Sequence, residues 1–234
     1  MTSWGIILYN DTMKNYTESE LEENYKTFLN FISDTFEGDR KDKLLYLYGT
    51  DEGCLGLRAL VAPASGKIHY HNAYTGGYID HVLNVCRTCK GMNLLFNKLG
   101  GEVDFTEDEL MFSALNHDLG KLGDLNGDYY LPEDSEWHQR NQGSMFKINP
   151  DIQHMTVPDR AIFLLQHFNI PITQKEFLGI KLTDGMYDEA AAAYLKTYRL
   201  GSELKTLLPK ILHWADHMAT TIEYCEFLKT KEFI

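Results

Sequence analysis

The sequence predicts an all-α protein, folded as a compact bundle of about seven helices. Apolar residues recur at helical spacing through most of the chain. Three capping boxes, at 17–20, 106–109 and 173–176, are typical of helix starts. Hardly any stretch shows the alternating pattern of a half-buried strand. Each of these helices would have an apolar face, and packing the helices on one another buries those faces, which favours a bundle.

The first half of the chain predicts two clear helices and two short elements. The first helix follows the capping box at 17–20 and stops near Gly38. Short apolar runs at 43–48 and 57–63 fit either helix or strand. A histidine-rich loop occupies 63–76, and a long helix runs from near Tyr78 to about Leu99 with its apolar face towards a core.

The second half predicts four or five more helices. The helix behind the box at 106–109 ends at His117 and Asp118. Residues 124–150 have few periodic signals, which is typical of a functional or mobile loop. Helices are then predicted at about 156–169, 174–182 and 188–198. The last helix is expected to begin at Ser202 and run to about Lys229, with Pro209 kinking its first turns.

Composition narrows the classes of partner. The chain has 234 residues with 44% hydrophobic residues, enough for one large domain or a domain with an appendage. The net charge of −12 makes a phosphate backbone a poor non-specific partner. No apolar run is long enough to cross a membrane or act as a signal peptide. The chain has only four cysteines, and Cys86 and Cys89 lie in a predicted helix, where we expect them to be packing thiols. We therefore expect a reduced, cytoplasmic protein without membrane association.

Several histidines and aspartates could meet at one point. The candidates are His81 within a helix, His117 and Asp118 at a helix end, His154 before a helix, and Asp216 within the last helix. A single histidine on a helix is more often structural than a ligand. A carboxylate on an otherwise apolar helix needs a partner, however, and a divalent metal ion is one such partner.

These residues, in this order, resemble the HD-domain metal-dependent phosphohydrolase superfamily. Residues 71–81 are similar to the HHAYxGGLLEH run of the branch that contains YhaM-like 3′–5′ exonucleases. Residues 117–121 match the HDxGK element, and residues 212–216 are similar to the LHxAD element. The resemblance covers roughly 60–225. It implies an HD domain at 61–234, with a helical extension at 1–60 packed on it.

The resemblance also implies a ligand set. The expected ligands of one divalent ion are His81, His117, Asp118 and Asp216. A second ion in two-metal members uses further histidines, and His154 lies where one is expected. Another is replaced by Thr183, beside which Asp184 could provide an oxygen ligand. We therefore expect one ion rather than two. The donors suit Mn, Fe, Co, Ni, Mg or Zn without choosing among them.

Two residues are expected to act in catalysis. Asp118 would bind the metal and orient a water molecule, whose pKa falls when it binds a divalent ion. Lys121 follows His117 by one turn. It either stabilises negative charge on a phosphate or interacts with the carboxyl end of its helix.

The remaining candidates are expected to contact substrate. The resemblance places His71 and Tyr74 beside the site. The loop 124–150 adds positive side chains and aromatic rings, which either bind a nucleotide or are solvated. The candidate substrate-binding residues are His71, Tyr74, His138, Arg140, Lys147, Arg160 and Tyr187.

Three functions fit this pattern. The first is hydrolysis of a phosphoester or phosphoanhydride of a small nucleotide, or another phosphorylated substrate, by a metal-activated water. The second is 3′–5′ exonuclease activity on single-stranded nucleic acid, and the third is a non-catalytic HD regulator. The exonuclease relatives carry an oligonucleotide-binding domain ahead of the HD domain, whereas residues 1–60 show no five-strand pattern and no basic stripe. The sequence therefore favours a small substrate and leaves the oligomeric state open.

Overall fold

The structure is a computed structural model that describes residues 14–197 and 199–231, and over those residues it confirms the all-α class. Its ten α-helices are α1 Glu18–Thr35, α2 Gly38–Leu47, α3 Gly56–Val61, α4 Gly77–Lys98, α5 Glu107–Asn116, α6 Glu136–Gln142, α7 Val157–His167, α8 Gln174–Lys181, α9 Glu189–Lys196 and α10 Leu208–Lys231. The count exceeds seven because both short apolar runs are helical and because the loop 124–150 contains a helix.

All three predicted capping boxes are present, at 17–20, 106–109 and 173–176. In each, the threonine hydroxyl accepts a hydrogen bond from the backbone N–H three residues later. The glutamate at that position accepts one from the threonine N–H. These bonds satisfy backbone donors that have no partner within the helix. The sequence therefore sets where α1, α5 and α8 begin.

The core lies between α4, α5, α8 and α10, which pack on one another. The buried face of α4 includes Tyr78, Val82 and Val85, and the same apolar cluster continues into α1 and α2 through Phe28 and Leu44. Of the predicted extension 1–60, residues 1–13 lie outside the described part of the chain. The rest of that extension shares the apolar cluster with the long helices.

The cysteines of α4 have the predicted packing role. Cys86 and Cys89 are buried in the apolar cluster, and both are free thiols. Burial raises the pKa of Cys86 to about 12, so this thiol stays protonated near neutral pH.

The loop 124–150 is more ordered than its sequence predicts. Strands β1 Tyr130–Pro132 and β2 Phe146–Ile148 pair antiparallel, with α6 between them. The carbonyl of Gly66 accepts hydrogen bonds from the backbone N–H groups of residues 145 and 146. The histidine-rich loop and the hairpin therefore hold each other in place. Strands this short give almost no alternating pattern, which explains why the sequence does not reveal them.

The predicted start of the last helix is wrong. Helix α10 begins at Leu208 rather than Ser202. Pro209 therefore lies in the first turn, where its missing N–H would have no helical partner, so it favours the helix start instead of kinking the helix. Among the described helices, none is both long enough and apolar enough to cross a membrane.

Candidate metal centre

Three packed helices bring the predicted ligands together. Helix α4 carries His81 in its second turn, the chain leaving α5 carries His117 and Asp118, and α10 carries Asp216. Helix α4 packs against both α5 and α10. Donor atoms of His81, His117 and Asp216 lie within 4.8 Å of one another and form a group that could hold a metal ion.

The distances between donor atoms fit one ion. His81 Nε2 lies 3.2 Å from Asp216 Oδ1 and 3.5 Å from Asp118 Oδ2. His117 Nε2 lies 3.5 Å from Asp118 Oδ2 and 3.9 Å from Asp216 Oδ1. Two ligands at ordinary metal distances are themselves roughly 3 to 3.5 Å apart at tetrahedral or octahedral angles. The four side chains therefore approach the spacing of a coordination shell.

The tautomer of His117 leaves a lone pair for a metal. Its Nδ1 lies 2.7 Å from the carbonyl oxygen of Ala114, which can only accept, so Nδ1 carries the proton. Its Nε2 is buried and has no hydrogen-bond partner among the described residues. A buried nitrogen without a partner is costly, and a metal ion would satisfy it. The donor set therefore fits the predicted ion.

Charges around His81 favour its protonated form in the metal-free protein. Burial acts to lower its pKa, but the carboxylates of Glu223 and Asp216 outweigh burial and raise the pKa to about 10. Burial also acts to raise the pKa of Asp216, but the hydrogen bond from His81 and nearby positive charges hold it well below its usual range. A metal ion would therefore replace a proton on His81 and meet an ionised Asp216.

Lys121 lies beside Asp118 rather than free at the end of a helix. It belongs to the 3₁₀ turn Leu119–Leu122, and its Nζ lies 2.6 Å from Asp118 Oδ2. Burial acts to raise the pKa of Asp118, but the positive charges of Lys121, His117 and His81 together outweigh burial and lower that pKa. Lys121 thus contributes to keeping Asp118 ionised and places an ammonium group at the centre.

Glu223 is a further candidate residue of the site, which the motifs of the sequence do not include. Its side chain is almost fully buried, and its Oε2 accepts a hydrogen bond from His81 Nδ1 at 3.0 Å. Asn84 Nδ2 donates to the other carboxylate oxygen at 2.9 Å. A carboxylate behind a metal-binding histidine fixes the ring and raises its basicity. The available signal was spacing: Glu223 follows Asp216 by seven residues, two helical turns on the same face.

A cleft of about 480 Å³ opens beside the centre. Its lining residues are His69, Tyr70, His71, Asp184, Tyr187, His213, Asp216, His217, Thr220, Thr221 and Tyr224. Three candidates from the sequence, His71, Asp184 and Tyr187, therefore lie at this cleft.

His71 is the candidate nearest to the ligands. Its ring centroid lies 4.6 Å from that of His81, and both of its ring nitrogens are buried without a hydrogen-bond partner among the described residues. Burial, followed by the positive charge of His81, holds the pKa of His71 well below its ordinary value. Its imidazole is neutral near pH 7 and can accept a hydrogen bond or bind a cation. It forms a second possible metal group with His81 and Glu223.

The two residues predicted for a second ion, His154 and Asp184, belong to no metal-binding group among the described residues. Asp184 faces the cleft, where burial and the charge of Asp118 raise its pKa. His154 is exposed in the segment before α7. Among the described residues, neither belongs to a group whose donor atoms converge. The group that could hold a metal ion therefore contains three of the four predicted first-ion ligands, His81, His117 and Asp216, and neither His154 nor Asp184.

Two further candidates use their polar groups in structural contacts. The hydroxyl of Tyr74 donates to Asp80 Oδ2 at 2.7 Å. Arg160 is 1% exposed, and its guanidinium donates to the carbonyl oxygens of Gly120 and Gln153. Neither residue lines the cleft.

Three candidate side chains of the hairpin region lie beside local carboxylates. Lys147 Nζ lies 3.0 Å from Asp134 Oδ1, and a nitrogen of Arg140 lies 3.0 Å from a carboxylate oxygen of Glu136. His138 Nδ1 lies 3.6 Å from Glu133. None of these three residues lines the cleft.

Comparison with known proteins adds no relative. No protein-family model, curated protein or solved structure matches the chain. The family hypothesis therefore depends on the motifs, and the geometry provides a separate line of support for metal binding.

Proposed function

We propose that this protein is a metal-dependent phosphohydrolase that cleaves a phosphoester or phosphoanhydride of a small nucleotide. The observation that carries the proposal is the convergence of His81, His117, Asp118 and Asp216 around the unpartnered Nε2 of His117. The resemblance of the three motifs to the HD superfamily supports the same chemistry. A single divalent ion is the proposed cofactor.

The role proposed for each side chain of the centre follows from its contacts. When bound, the ion would act as a Lewis acid and lower the pKa of a water molecule. Asp118, whose pKa is lowered by Lys121 and the two histidines, would help to hold the ion and would accept a hydrogen bond from that water. Lys121 can donate to a phosphoryl oxygen, where negative charge grows during hydrolysis. Glu223 holds the ring of His81 through Nδ1 and leaves Nε2 directed at Asp216.

The size of the cleft supports a small substrate. Its volume of about 480 Å³ lies within the range usual for small-molecule sites. The net charge of −12 opposes non-specific binding of a long polyanion. Both observations favour a nucleotide over an extended strand of nucleic acid.

The experiment that tests the proposal measures metal content and then hydrolysis. Purified protein is analysed for bound metals and assayed with Mn, Co, Ni and Mg against nucleotides and single-stranded oligonucleotides. We expect about one ion per chain and phosphate or pyrophosphate release from nucleotides. Asp118→Ala should lower metal affinity and reduce the rate at least about 100-fold. His138→Ala is the control, because it removes an imidazole outside the cleft.

Three outcomes would contradict the proposal. Shortening of oligonucleotides without nucleotide hydrolysis would favour the exonuclease. Tight metal binding without hydrolysis of any substrate would favour the regulator. Equal metal affinity in wild type and Asp118→Ala would show that the ion lies elsewhere.

A further inference from the structure

We infer that the substrate is a nucleoside monophosphate, with one phosphate at the metal centre and the nucleoside in the adjoining cleft. The inference rests on the proposed function, because it takes the His81–Asp216 group as the reacting end. It goes beyond the proposed function by specifying that the substrate has one phosphate and that this phosphate is attached to a nucleoside. Both follow from the charges and rings that line the cleft.

The charges of the cleft limit the number of phosphates. Among the described residues, its lining includes no lysine or arginine, and it includes the carboxylates of Asp184 and Asp216. Lys121 lies at the centre, where it already pairs with Asp118 at 2.6 Å. Sites for triphosphates surround the β- and γ-phosphates with lysine, arginine or extra metal ions. A second or third phosphate here would meet Asp184 instead of a cation.

The rings of Tyr187, His213 and His217 lie together on one side of the same cleft and are called the aromatic wall. The Tyr187 ring centroid lies 5.6 Å from that of His217 and 6.1 Å from that of His213. A hydrogen bond of 3.0 Å joins the Tyr187 hydroxyl to His217 Nδ1 and holds the tyrosine ring in place. The ring is nevertheless 75% exposed. An exposed ring held at the mouth of a cleft offers a face on which a nucleobase can stack.

The tyrosines and threonines of the remaining lining suit a nucleoside. Tyr70 and Tyr224 contribute further aromatic surface, and both are partly exposed. Thr220 adds a hydroxyl group that can bond to a sugar. A base, a sugar and one phosphate therefore each find a matching surface. An aliphatic phosphate has no ring that could stack on the aromatic wall.

The first test compares substrates that differ in one part. Phosphate release is measured with purine and pyrimidine nucleoside 5′-monophosphates, the matching triphosphates, and ribose 5-phosphate. We expect kcat/KM for the monophosphates to exceed that for the triphosphates and for ribose 5-phosphate by at least about tenfold, since base stacking on one ring gives a factor of this order. Calorimetric titration of the same compounds in EDTA, where no turnover occurs, should rank them in the same order.

The second test changes the aromatic wall. Tyr187→Ala should raise KM for nucleoside monophosphates about tenfold and leave kcat/KM for ribose 5-phosphate unchanged. Tyr187→Phe keeps the ring and should restore most of the affinity. Tyr46→Ala removes a comparably exposed tyrosine on α2, outside the cleft lining, and serves as the control.

The outcomes separate this inference from the proposed function. Triphosphates that react or bind as well as monophosphates would overturn the limit on phosphates. Ribose 5-phosphate that matches the nucleotides, with no effect of Tyr187→Ala, would overturn the aromatic part, while its hydrolysis would leave the proposed phosphohydrolase standing. If nothing is hydrolysed, the proposed function fails, and the order of binding in EDTA still decides whether the cleft selects a nucleoside monophosphate.

Discussion

The candidate metal centre and the hairpin region at 130–148 both contain charged residues, but the contacts of those charges differ. At the candidate centre, α4, the chain leaving α5, and α10 bring His81, Asp118 and Asp216 close together. In the hairpin region, Lys147 pairs with Asp134 on the surface. Water and salt screen an exposed pair of this kind, so it contributes little to stability. The contrast shows that a charge contributes to a site when packed helices orient it.

The largest expected effect comes from removing a ligand. Asp216→Asn keeps the shape of the side chain but removes the charge that pairs with His81. We expect metal affinity to fall more than about 100-fold and hydrolysis to become undetectable, because first-row divalent ions bind carboxylate far more tightly than amide. Titration calorimetry and phosphate release measure both. Unchanged metal binding would remove Asp216 from the centre and weaken the contrast with the hairpin region.

A smaller effect is expected one step behind the ligands, at Glu223. Glu223→Gln keeps a hydrogen-bond acceptor for His81 but removes the negative charge. Metal affinity should fall about 10- to 100-fold, the usual result of changing a residue that orients a ligand. The pKa of His81 in the metal-free protein should fall below about 10, which NMR titration would detect. An unchanged His81 pKa would show that Glu223 has only a packing role.

The same pKa sets a pH dependence of metal binding. His81 has a pKa of about 10 in the metal-free protein, so near neutral pH an ion must displace one proton. Affinity should therefore rise by up to about tenfold per pH unit from pH 7 to 9, while Asp118 and Asp216, whose pKa values are lowered, stay ionised. Calorimetry in buffers with different ionisation enthalpies should show release of about one proton. Affinity that is flat with pH would mean that His81 is already neutral.

The sign is opposite for the stability of the metal-free protein. The folded-state pKa of His81 lies above its ordinary value of about 6.5. Its contribution to the free energy of unfolding is therefore fully present below pH 6.5, declines as pH rises, and is lost above about pH 10. Thermal unfolding in EDTA across this window measures the decline, and saturating metal should reduce it.

The smallest effect is expected in the hairpin region. Lys147→Ala breaks the exposed pair with Asp134 and should change kcat/KM for nucleotides less than about threefold, with no measurable change in the free energy of unfolding. Steady-state kinetics and chemical denaturation measure the two quantities. A tenfold loss in kcat/KM would bring Lys147 back as a substrate contact and would remove the contrast between the two regions.

Much of the fold is readable because its signals are local. The capping boxes at 17–20, 106–109 and 173–176 determine three helix starts through bonds that span only three residues. The register of α10 is less readable, since Leu208 and Ser202 both precede helical spacing. The structure starts the helix where Pro209 fits the first turn. The hairpin strands are three residues each, too short for periodicity.

The helical class, most helix starts, and the residues whose chemistry could form the candidate centre are readable from the sequence alone. Which polar groups face one another depends on how the helices pack. In the folded protein the guanidinium of Arg160 donates to backbone carbonyls, and the hydroxyl of Tyr74 donates to Asp80. The carboxylate of Glu223 accepts a hydrogen bond from His81. The two kinds of feature differ in the sequence separation of the residues that set them. A helix cap or an apolar helical face depends on residues that are neighbours in the chain. The partner of a buried charge depends on which helices pack together, and that is set by residues up to 142 positions away.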